Sequence, residues 1–198
     1  TLVSSQYEWM SASDWLTEQP VSWTADEARV ELVRRWLLGF GPATVQDVRW
    51  WTGWTLGQTR SALARLETVD VTLDHGEVGL LLADDAEPAA ACDPWVALLP
   101  GLDPTPMGWA GRDWYLGEHR ARLFDSNGNV GPTVWCDGRV VGGWAQRKTG
   151  EVAVKLLEDV GTEAAGAIDA AAARLFAWLG GARVTPRFRT PLELELTA

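Results

Sequence analysis

Three helix starts of the same kind follow one another in the first third of the chain. In each, a threonine is followed three residues later by Glu, Asp or Gln, and the threonines stand at positions 24, 44 and 55. Such a pair can form a capping box, in which each side chain bonds the backbone N–H of the other residue. Apolar residues recur at helical spacing after each start. The sequence therefore predicts three helices, over 25–39, 45–52 and 56–66.

Beyond the third helix the period of the apolar residues changes to two. Val69, Val71 and Leu73 alternate with polar residues, the sequence DHGE favours a turn, and apolar residues then return at every second position. Three helices followed by a hairpin, with a very short link between helices two and three, are typical of a winged helix. Residues 23–83 are therefore predicted to be a winged-helix domain. Residues 1–22 are irregular and are predicted to be a connector from a preceding segment.

The second half of the chain has a different composition. Residues 84–94, DDAEPAAACDP, are acidic and rich in Ala and Pro, which indicates a linker. From 95 to 198 short apolar runs are separated by turn formers, and turns at 137–138 and 148–150 predict two hairpins.

One long helix is predicted near the end, over 162–179 with Thr162 as its N-cap, and an edge strand in ARVTPRF after it. The predicted fold class is α+β. It comprises a winged helix followed by a small antiparallel β-barrel or sheet domain with a C-terminal helix.

The distribution of charge limits how the chain can meet nucleic acid. The net charge is −10, and residues 67–104 hold nine acidic residues and no Lys or Arg. Segments 24–66 and 105–155 are mildly basic. Neutralisation of phosphates supplies most non-specific affinity for DNA, so a uniformly basic surface is excluded whereas single basic faces are not.

Metal-binding residue types are sparse. Cys92, Cys136, His75 and His119 match neither a metal site nor a disulfide framework, so we expect no metal, no cofactor and a reducing, cytoplasmic location. No apolar run approaches the ~18 residues of a membrane span, and no membrane partner is expected.

The outward face of the third helix carries side chains that can read DNA. In a helix-turn-helix protein this helix lies in the major groove, where Arg bonds guanine and Gln bonds adenine. An ordinary solvated helix face explains the same residues equally well. The acidic residues of the hairpin would repel phosphates. The candidate residues are Gln58, Arg60, Ser61 and Arg65.

The 13 tryptophans allow two interpretations. Exposed rings can stack on unpaired bases, whereas rings on apolar faces are explained by packing alone. Core positions are predicted for Trp36, Trp51, Trp95 and Trp178. Packing explains five others less well: Trp50, Trp54, Trp109, Trp114 and Trp144.

The segment 101–147 is dense in polar residues that could line one site. Asp125 to Asn129 are plain turn formers, and Gly142-Gly143 would allow a second backbone or a ligand to approach a strand closely. No nucleophile, base and orienting group with the spacing of a catalytic triad is visible.

Three blocks of the sequence resemble one bacterial protein family. In chain order they are RRWLLGFGPATVQDVRWWTGW, LLPGLDPTPMGWAGRDWYLG and GNVGPTVWCDGRVVGGWAQR. Together they resemble the winged-helix DNA-binding family that includes the AlkZ and YcaQ DNA glycosylases, in particular its actinobacterial members. The resemblance implies tandem winged helices with a C-terminal β-barrel that form a channel for duplex DNA. It also implies excision of alkylated or crosslinked bases by hydrolysis of the N-glycosidic bond.

The resemblance supplies no catalytic residue. Glycosylases of this family carry a Gln-apolar-Gln or Gln-apolar-Asp motif in an N-terminal winged helix that precedes everything matched here. Gln6-Tyr7-Glu8 is superficially similar but lies in the predicted connector. The chain is expected to correspond to the C-terminal two thirds of such a protein.

The leading hypothesis is a scaffold that engages double-stranded DNA in a repair protein, without metal or nucleotide cofactor. Phosphate contacts are predicted for Arg60, Arg65, Arg139, Arg147, Lys148, Arg187 and Arg189. A protein-interaction or regulatory module is the alternative, favoured by the acidic hairpin, the acidic linker and the negative total charge. A small-molecule site in the second half is a third possibility.

Overall fold

The computed structural model describes residues 9–18, 21–184 and 186–198. This part of the chain is a mixed α+β structure with two antiparallel sheets, which confirms the predicted class. The helices are α1 (Ala12–Trp15), α2 (Ala25–Phe40), α3 (Val45–Thr52), α4 (Leu56–Leu63), α5 (Asp113–Leu116), α6 (Arg120–Leu123), α7 (Gly161–Leu179) and α8 (Pro191–Leu196). The strands are β1 (Thr68–Thr72), β2 (Val78–Leu82), β3 (Val96–Leu99), β4 (Thr133–Cys136), β5 (Arg139–Gln146) and β6 (Val152–Leu156).

All three predicted capping boxes are present. Thr24, Thr44 and Thr55 each accept a hydrogen bond from the N3 backbone N–H, and the N3 side chain bonds the backbone of the threonine in return. Gly53 ends α3 in the left-handed conformation, with φ 69°. Leu56, predicted to face inward, is 40% exposed because the apolar stripe of α4 runs through Thr59, Ala62 and Leu63 instead.

The predicted hairpin is also present and is tied to the helices. Strands β1 and β2 pair antiparallel, and Ala43, between α2 and α3, exchanges two backbone hydrogen bonds with Leu80 of β2. Trp36, Leu37 and Val48 lie in the core that the helices and the hairpin share. Every residue of the segment predicted as a linker, 84–94, is exposed.

The second sheet is open. Its strand order is β3-β4-β5-β6, with β3 and β6 at the edges, so the sheet alternative is observed and the barrel is not. Helix α7 packs on one face through Ile168, while α5, α6 and α8 cover the other. The pairing of β4 with β5 skips Val141, a bulge that changes which residues of β5 face each side.

Two predictions for the C-terminal region are wrong. Helix α7 begins at Gly161 after Val160, so Thr162 is not the cap, and Asp159 Oδ1 instead accepts from the Gly161 N–H at 2.9 Å. The described residues 181–184 and 186–190 form no strand. The side chain of Gln146 supplies hydrogen bonds to the backbone of this segment. It accepts from the Val184 N–H and donates to the Ala182 carbonyl, where a strand would have bonded a neighbouring strand.

Helix α8 was not predicted. Thr190 and Glu193 form its capping box, and both are buried. Leu192 and Leu196 of α8 pack into the core beneath β5. The helix is only six residues long, which is too short for hydrophobic periodicity to show.

Trp109 and Asp47 both join the halves of the chain. Trp109 packs against the cores of both, and its indole N–H donates to the Phe40 carbonyl oxygen at 3.0 Å. Asp47 of α3 is 7% exposed, and its Oδ1 accepts from the backbone N–H groups of Ala110 and Gly111 at 2.9 and 3.4 Å. The halves therefore meet through α3, the end of α2 and the loop before α5.

Tyr115 should make the stability of the protein fall at alkaline pH. It is 1% exposed, its hydroxyl donates to the Pro106 carbonyl oxygen, and burial raises its pKa to about 12. The unfolded chain releases this proton near pH 10 and the folded chain only near pH 12. The associated stability is therefore complete below pH 10 and declines above it by up to ~1.4 kcal/mol per pH unit.

Urea unfolding at pH 8 to 11 tests this expectation. Tyr115→Phe should be less stable than the parent by a roughly constant amount below pH 10, and the difference should shrink at higher pH. A difference that stays constant to pH 11 would show that the buried phenol does not titrate as described.

Candidate nucleic-acid interface

The predicted reading helix, α4, uses one of its candidate residues as a cap. Gln58 Oε1 accepts hydrogen bonds from the backbone N and from Oγ1 of Thr55, at 3.0 and 2.9 Å. A bidentate contact with adenine requires both amide atoms of a glutamine. Gln58 can therefore read a base in this way only by giving up the capping box.

The other candidates on α4 face two directions. Ser61 and Arg65 line a cleft of about 260 Å³ whose opposite wall is the first turns of α2. Arg60 lies about 100° around the helix from Ser61 and is exposed. Within the described residues, neither Arg60 nor Arg65 forms a hydrogen bond or an ion pair with a side chain.

Two candidates on the second sheet already bind other residues of the chain. Arg139 Nη2 lies 3.1 Å from Glu158 Oε2. Arg147 Nη1 lies 2.9 Å from Glu151 Oε2, and its Nε donates to the Leu196 carbonyl oxygen at 3.0 Å. The two arginines stand at opposite ends of β5, roughly 25 Å apart at ~3.3 Å per residue. They do not belong to one compact site.

A groove of about 860 Å³ between the second sheet, α7 and the C-terminal segment collects most of the remaining candidates. Arg183, which sequence reasoning did not select, is also in its wall, and its Nη2 donates to the Thr149 carbonyl oxygen at 3.0 Å. The predicted basic residues of the groove are Arg147, Lys148, Arg187 and Arg189.

The two acidic residues that line this groove accept hydrogen bonds from residues close to them in the sequence. Asp125 accepts from the side chain and backbone of Asn129 and from the Asn127 N–H, and these hydrogen bonds lower its pKa. Glu193 is buried in the cap of α8. The turn interpretation of the segment from Asp125 to Asn129 is thus confirmed, and the groove carries five cations against two acids with fixed partners.

The prediction for the core tryptophans is right for one of four. Trp36 is 3% exposed, whereas Trp51, Trp95 and Trp178 are 39%, 40% and 81% exposed. Helix α7 has 19 residues, about 28 Å, but it packs on strands of four and five residues that span only about 17 Å. Its last turn therefore extends past the sheet and leaves Trp178 exposed on the groove.

Three of the less well explained tryptophans have a polar or charged partner. The indole N–H of Trp144 donates to the Leu99 carbonyl oxygen at 2.8 Å, and Trp109 links the two halves as described. The ring of Trp50 lies 4.7 Å from the guanidinium carbon of Arg112. Trp50 and Arg112 lie on opposite sides of the junction between the halves.

The described residues offer no centre for metal chemistry. Among them, no three His, Cys, Asp or Glu side chains are grouped so as to hold a metal ion, and Cys92 and Cys136 are free. In the same part of the chain no helix combines the length and apolarity required to cross a bilayer. The Gln6-Tyr7-Glu8 sequence lies outside the described residues.

A comparison with protein families identifies the chain. The model of the family described as DNA glycosylase AlkZ-like matches residues 1–178, which is most of the chain. The chain belongs to the AlkZ-like DNA glycosylase family. The resemblance of the three sequence blocks is thereby confirmed.

The curated match and the structural match of this AlkZ-like chain both come from Streptomyces sahachiroi. An interstrand DNA cross-link repair glycosylase is 31% identical over 157 residues, which are 73% of this chain and 39% of that protein. The solved structure of the DNA glycosylase AlkZ matches with a TM-score of 0.72 at 25% identity, over 84% of this chain and 47% of that one. The chain thus spans between about two fifths and one half of these relatives, less than the two thirds expected.

Sequence reasoning missed three features of this AlkZ-like chain. The capping role of Asp47 was visible in its spacing from Thr44, but its bonds to residues 110 and 111 were not. Arg112 appeared only as one of many polar residues, although it is 5% exposed. No local pattern marked Arg183, because its partners lie on a turn more than 30 residues earlier and at the end of α7.

Proposed function

We propose that this chain is the DNA-engaging scaffold of a DNA glycosylase-like repair protein whose targets are alkylated or crosslinked bases. Residues 23–83 act as a winged-helix domain, residues 95–198 as a second domain, and residues 84–94 as the link. Double-stranded DNA is the partner, and no metal or nucleotide cofactor takes part. A relative named as a cross-link repair glycosylase supports the choice of substrate class.

The arrangement of the first half supports the winged-helix assignment. Helices α3 and α4 are separated by only three residues, and Ala43 adds a short bridge to the β1–β2 hairpin. In helix-turn-helix proteins the second helix of such a pair enters the major groove and the first crosses the backbone. Helix α4 is therefore the element assigned to the major groove.

The observation that carries the proposal is the state of the arginines on α4. All three arginines of α2 are paired, Arg29 with Asp26 and the other two with Glu31. Arg60 and Arg65 are exposed and unpaired within the described residues, in a chain with 27 acidic and 17 basic residues. Unpaired surface cations on one helix are what phosphate contact requires.

The β1–β2 hairpin is not expected to contact the DNA phosphates. Asp70, Asp74 and Glu77 are exposed on it, so its approach to the DNA backbone would be repelled. The second contact region is instead the basic groove, in which Lys148 and Arg187 are the cations with no ion pair or hydrogen bond in the described structure. Arg139 and Arg147 contribute only if their internal pairs open.

Titration of a fluorescein-labelled 20-base-pair duplex by anisotropy, at several salt concentrations, tests the proposal. We expect binding by the parent chain that weakens as salt rises. In Arg60→Ala/Arg65→Ala the affinity should fall, and the slope of log K against log salt should become shallower by about two units, one per lost phosphate contact.

The matched control is Arg34→Ala/Arg35→Ala. It removes the same charge from the neighbouring helix α2, but both of its arginines are already bound to Glu31. The control should therefore keep most of the slope. Equal effects of the two double variants, or no binding by the parent at low salt, would favour the protein-interaction alternative over this proposal.

A further inference from the structure

Arg112 is buried without a counter-ion. It is 5% exposed, and its Nε has no hydrogen-bond partner. Its terminal nitrogens bond no described residue, and unlike Nε they are not fully buried. A buried charge is strongly unfavourable unless it is paired, and a guanidinium carries five N–H donors that need acceptors.

Two aromatic rings lie against this guanidinium, and a second arginine lies against one of the two rings. Its carbon lies 4.7 Å from the ring centroid of Trp50 and 5.4 Å from that of Phe124. The guanidinium carbon of Arg120 lies 5.3 Å from the same Phe124 ring. Cation–π contacts stabilise the charges, but they leave the N–H donors in the guanidinium plane unused.

The nearby acidic and phenolic groups do not neutralise these two cations. Asp47 uses both carboxylate oxygens on Thr44 and on the backbone at residues 110 and 111. Asp113 is exposed and makes no ion pair with Arg112, and the Tyr115 hydroxyl donates to Pro106. Burial lowers the pKa of Arg112, and the charge of Arg120 acts in the same direction while Tyr115 and Asp113 oppose it, but a guanidinium remains protonated.

We propose that Arg112 and Arg120 together bind one phosphate of the DNA backbone, with the Trp50 ring as the side wall of the site. The inference rests on the proposed function and names a contact that neither α4 nor the basic groove supplies. Trp50 lies on α3, the helix that crosses the backbone in a helix-turn-helix complex, and it is 43% exposed. Arg120 is exposed, so a phosphate can reach its guanidinium from solvent, beside the Phe124 ring that both arginines contact.

This site would use the junction between the halves as part of the DNA surface. Arginine recognises phosphate through charge-assisted, often bidentate hydrogen bonds, which are stronger than neutral ones. The bound phosphate supplies the acceptors that the protein lacks at this point. An arginine that served only packing would keep these N–H donors there with no acceptor from the described residues.

The test compares Arg112→Met and Arg112→Lys with Arg35→Met, an exposed arginine of α2 that is paired with Glu31. Each variant is measured for duplex affinity, for the salt slope and for Tm. For Arg112→Met we expect roughly 10-fold weaker binding, a slope shallower by about one unit, and a Tm that is unchanged or higher. Arg112→Lys should keep much of the slope, and Arg35→Met should change it little.

The remaining outcomes separate this site from the proposed function. A lowered Tm for Arg112→Met with an unchanged salt slope would show a structural arginine and overturn the proposal. If Arg60→Ala/Arg65→Ala weakens binding but Arg112→Met does not, the proposed function is supported and the phosphate site at Arg112 is overturned. If inorganic phosphate raises the Tm of the parent and not that of Arg112→Met while the parent binds no duplex, the ligand is free phosphate and the DNA assignment is overturned.

Discussion

Asp47→Ala is expected to lower the free energy of unfolding by about 3–5 kcal/mol. One carboxylate oxygen accepts from the backbone N and Oγ1 of Thr44, at 2.9 and 2.6 Å, and the other accepts from the backbone at Ala110 and Gly111. Loss of the cap costs ~1 kcal/mol, and each N–H left without a partner in a buried place costs ~1–3 kcal/mol. Since domains of this size are stable by only ~5–15 kcal/mol, the effect should be large.

Urea unfolding followed by far-UV circular dichroism measures this change, and two variants separate its causes. Thr44→Ala disturbs the cap and leaves the contacts of Asp47 with residues 110 and 111 intact, so it should cost only ~1 kcal/mol. Asp70→Ala, an exposed acid on β1, should cost almost nothing. A loss in Asp47→Ala no greater than that in Thr44→Ala would mean that the contact between the halves contributes nothing.

Gly142→Ala is expected to destabilise the second sheet by about 3 kcal/mol or more. A Cβ at this position would lie 2.3 Å from the Lys155 carbonyl oxygen and 3.0 Å from the Leu156 Cα. Both atoms are backbone of the neighbouring strand β6, so no side-chain rotation relieves the overlap. Strands β5 and β6 would have to separate, and overpacking that moves backbone is costly.

The control is Gly166→Ala, which lies in α7 with nothing within 4 Å of the added Cβ. Alanine is a better helix former than glycine, so this variant should be more stable by ~0.5–1 kcal/mol. Opposite signs of the two Gly→Ala changes in the same unfolding experiment are the expected result. If Gly142→Ala matched the parent in stability, the close pairing of β5 with β6 would be wrong.

The close approach of backbones at Gly142 was foreseen as a possibility, but its cause was not. The sequence allowed either a ligand or a second backbone beside Gly142-Gly143, and the structure places protein at both. Lys155 lies against the first glycine, and Leu192 and Pro132 lie against the second. The pair therefore belongs to the packing of the sheet and not to a binding site.

Elements whose signals are local were predicted well. The capping boxes at Thr24, Thr44 and Thr55 formed as their three-residue spacing required. The turn at Asp137-Gly138 adopts positive φ at both residues, 46° and 82°, as a two-residue hairpin demands. In each case the interacting groups are within a few residues of each other, so the sequence contains the whole interaction.

The partners of a side chain were not visible when they lie far away in the sequence. Arg147 was selected for its charge, and the bond of its Nε to the Leu196 carbonyl, 49 residues away in the chain, was not predicted. Trp178 was assigned to the core from helical spacing, but the strands beneath α7 end before its last turn. Charge and periodicity indicate which interactions a side chain can make. Neither indicates which part of the folded protein faces that side chain.

By itself, the sequence determined helices α2 to α4 and the hairpin of the first half, the two hairpins of the second sheet, and the family. Capping, turn conformation and apolar period act over a few residues, so they can be predicted without knowledge of the fold. Only the tertiary structure decided that Asp47 joins the halves, that five basic residues share one groove, and that Arg112 is buried without an acid. Those features depend on burial and on partners brought together by folding, and no spacing along the chain encodes them.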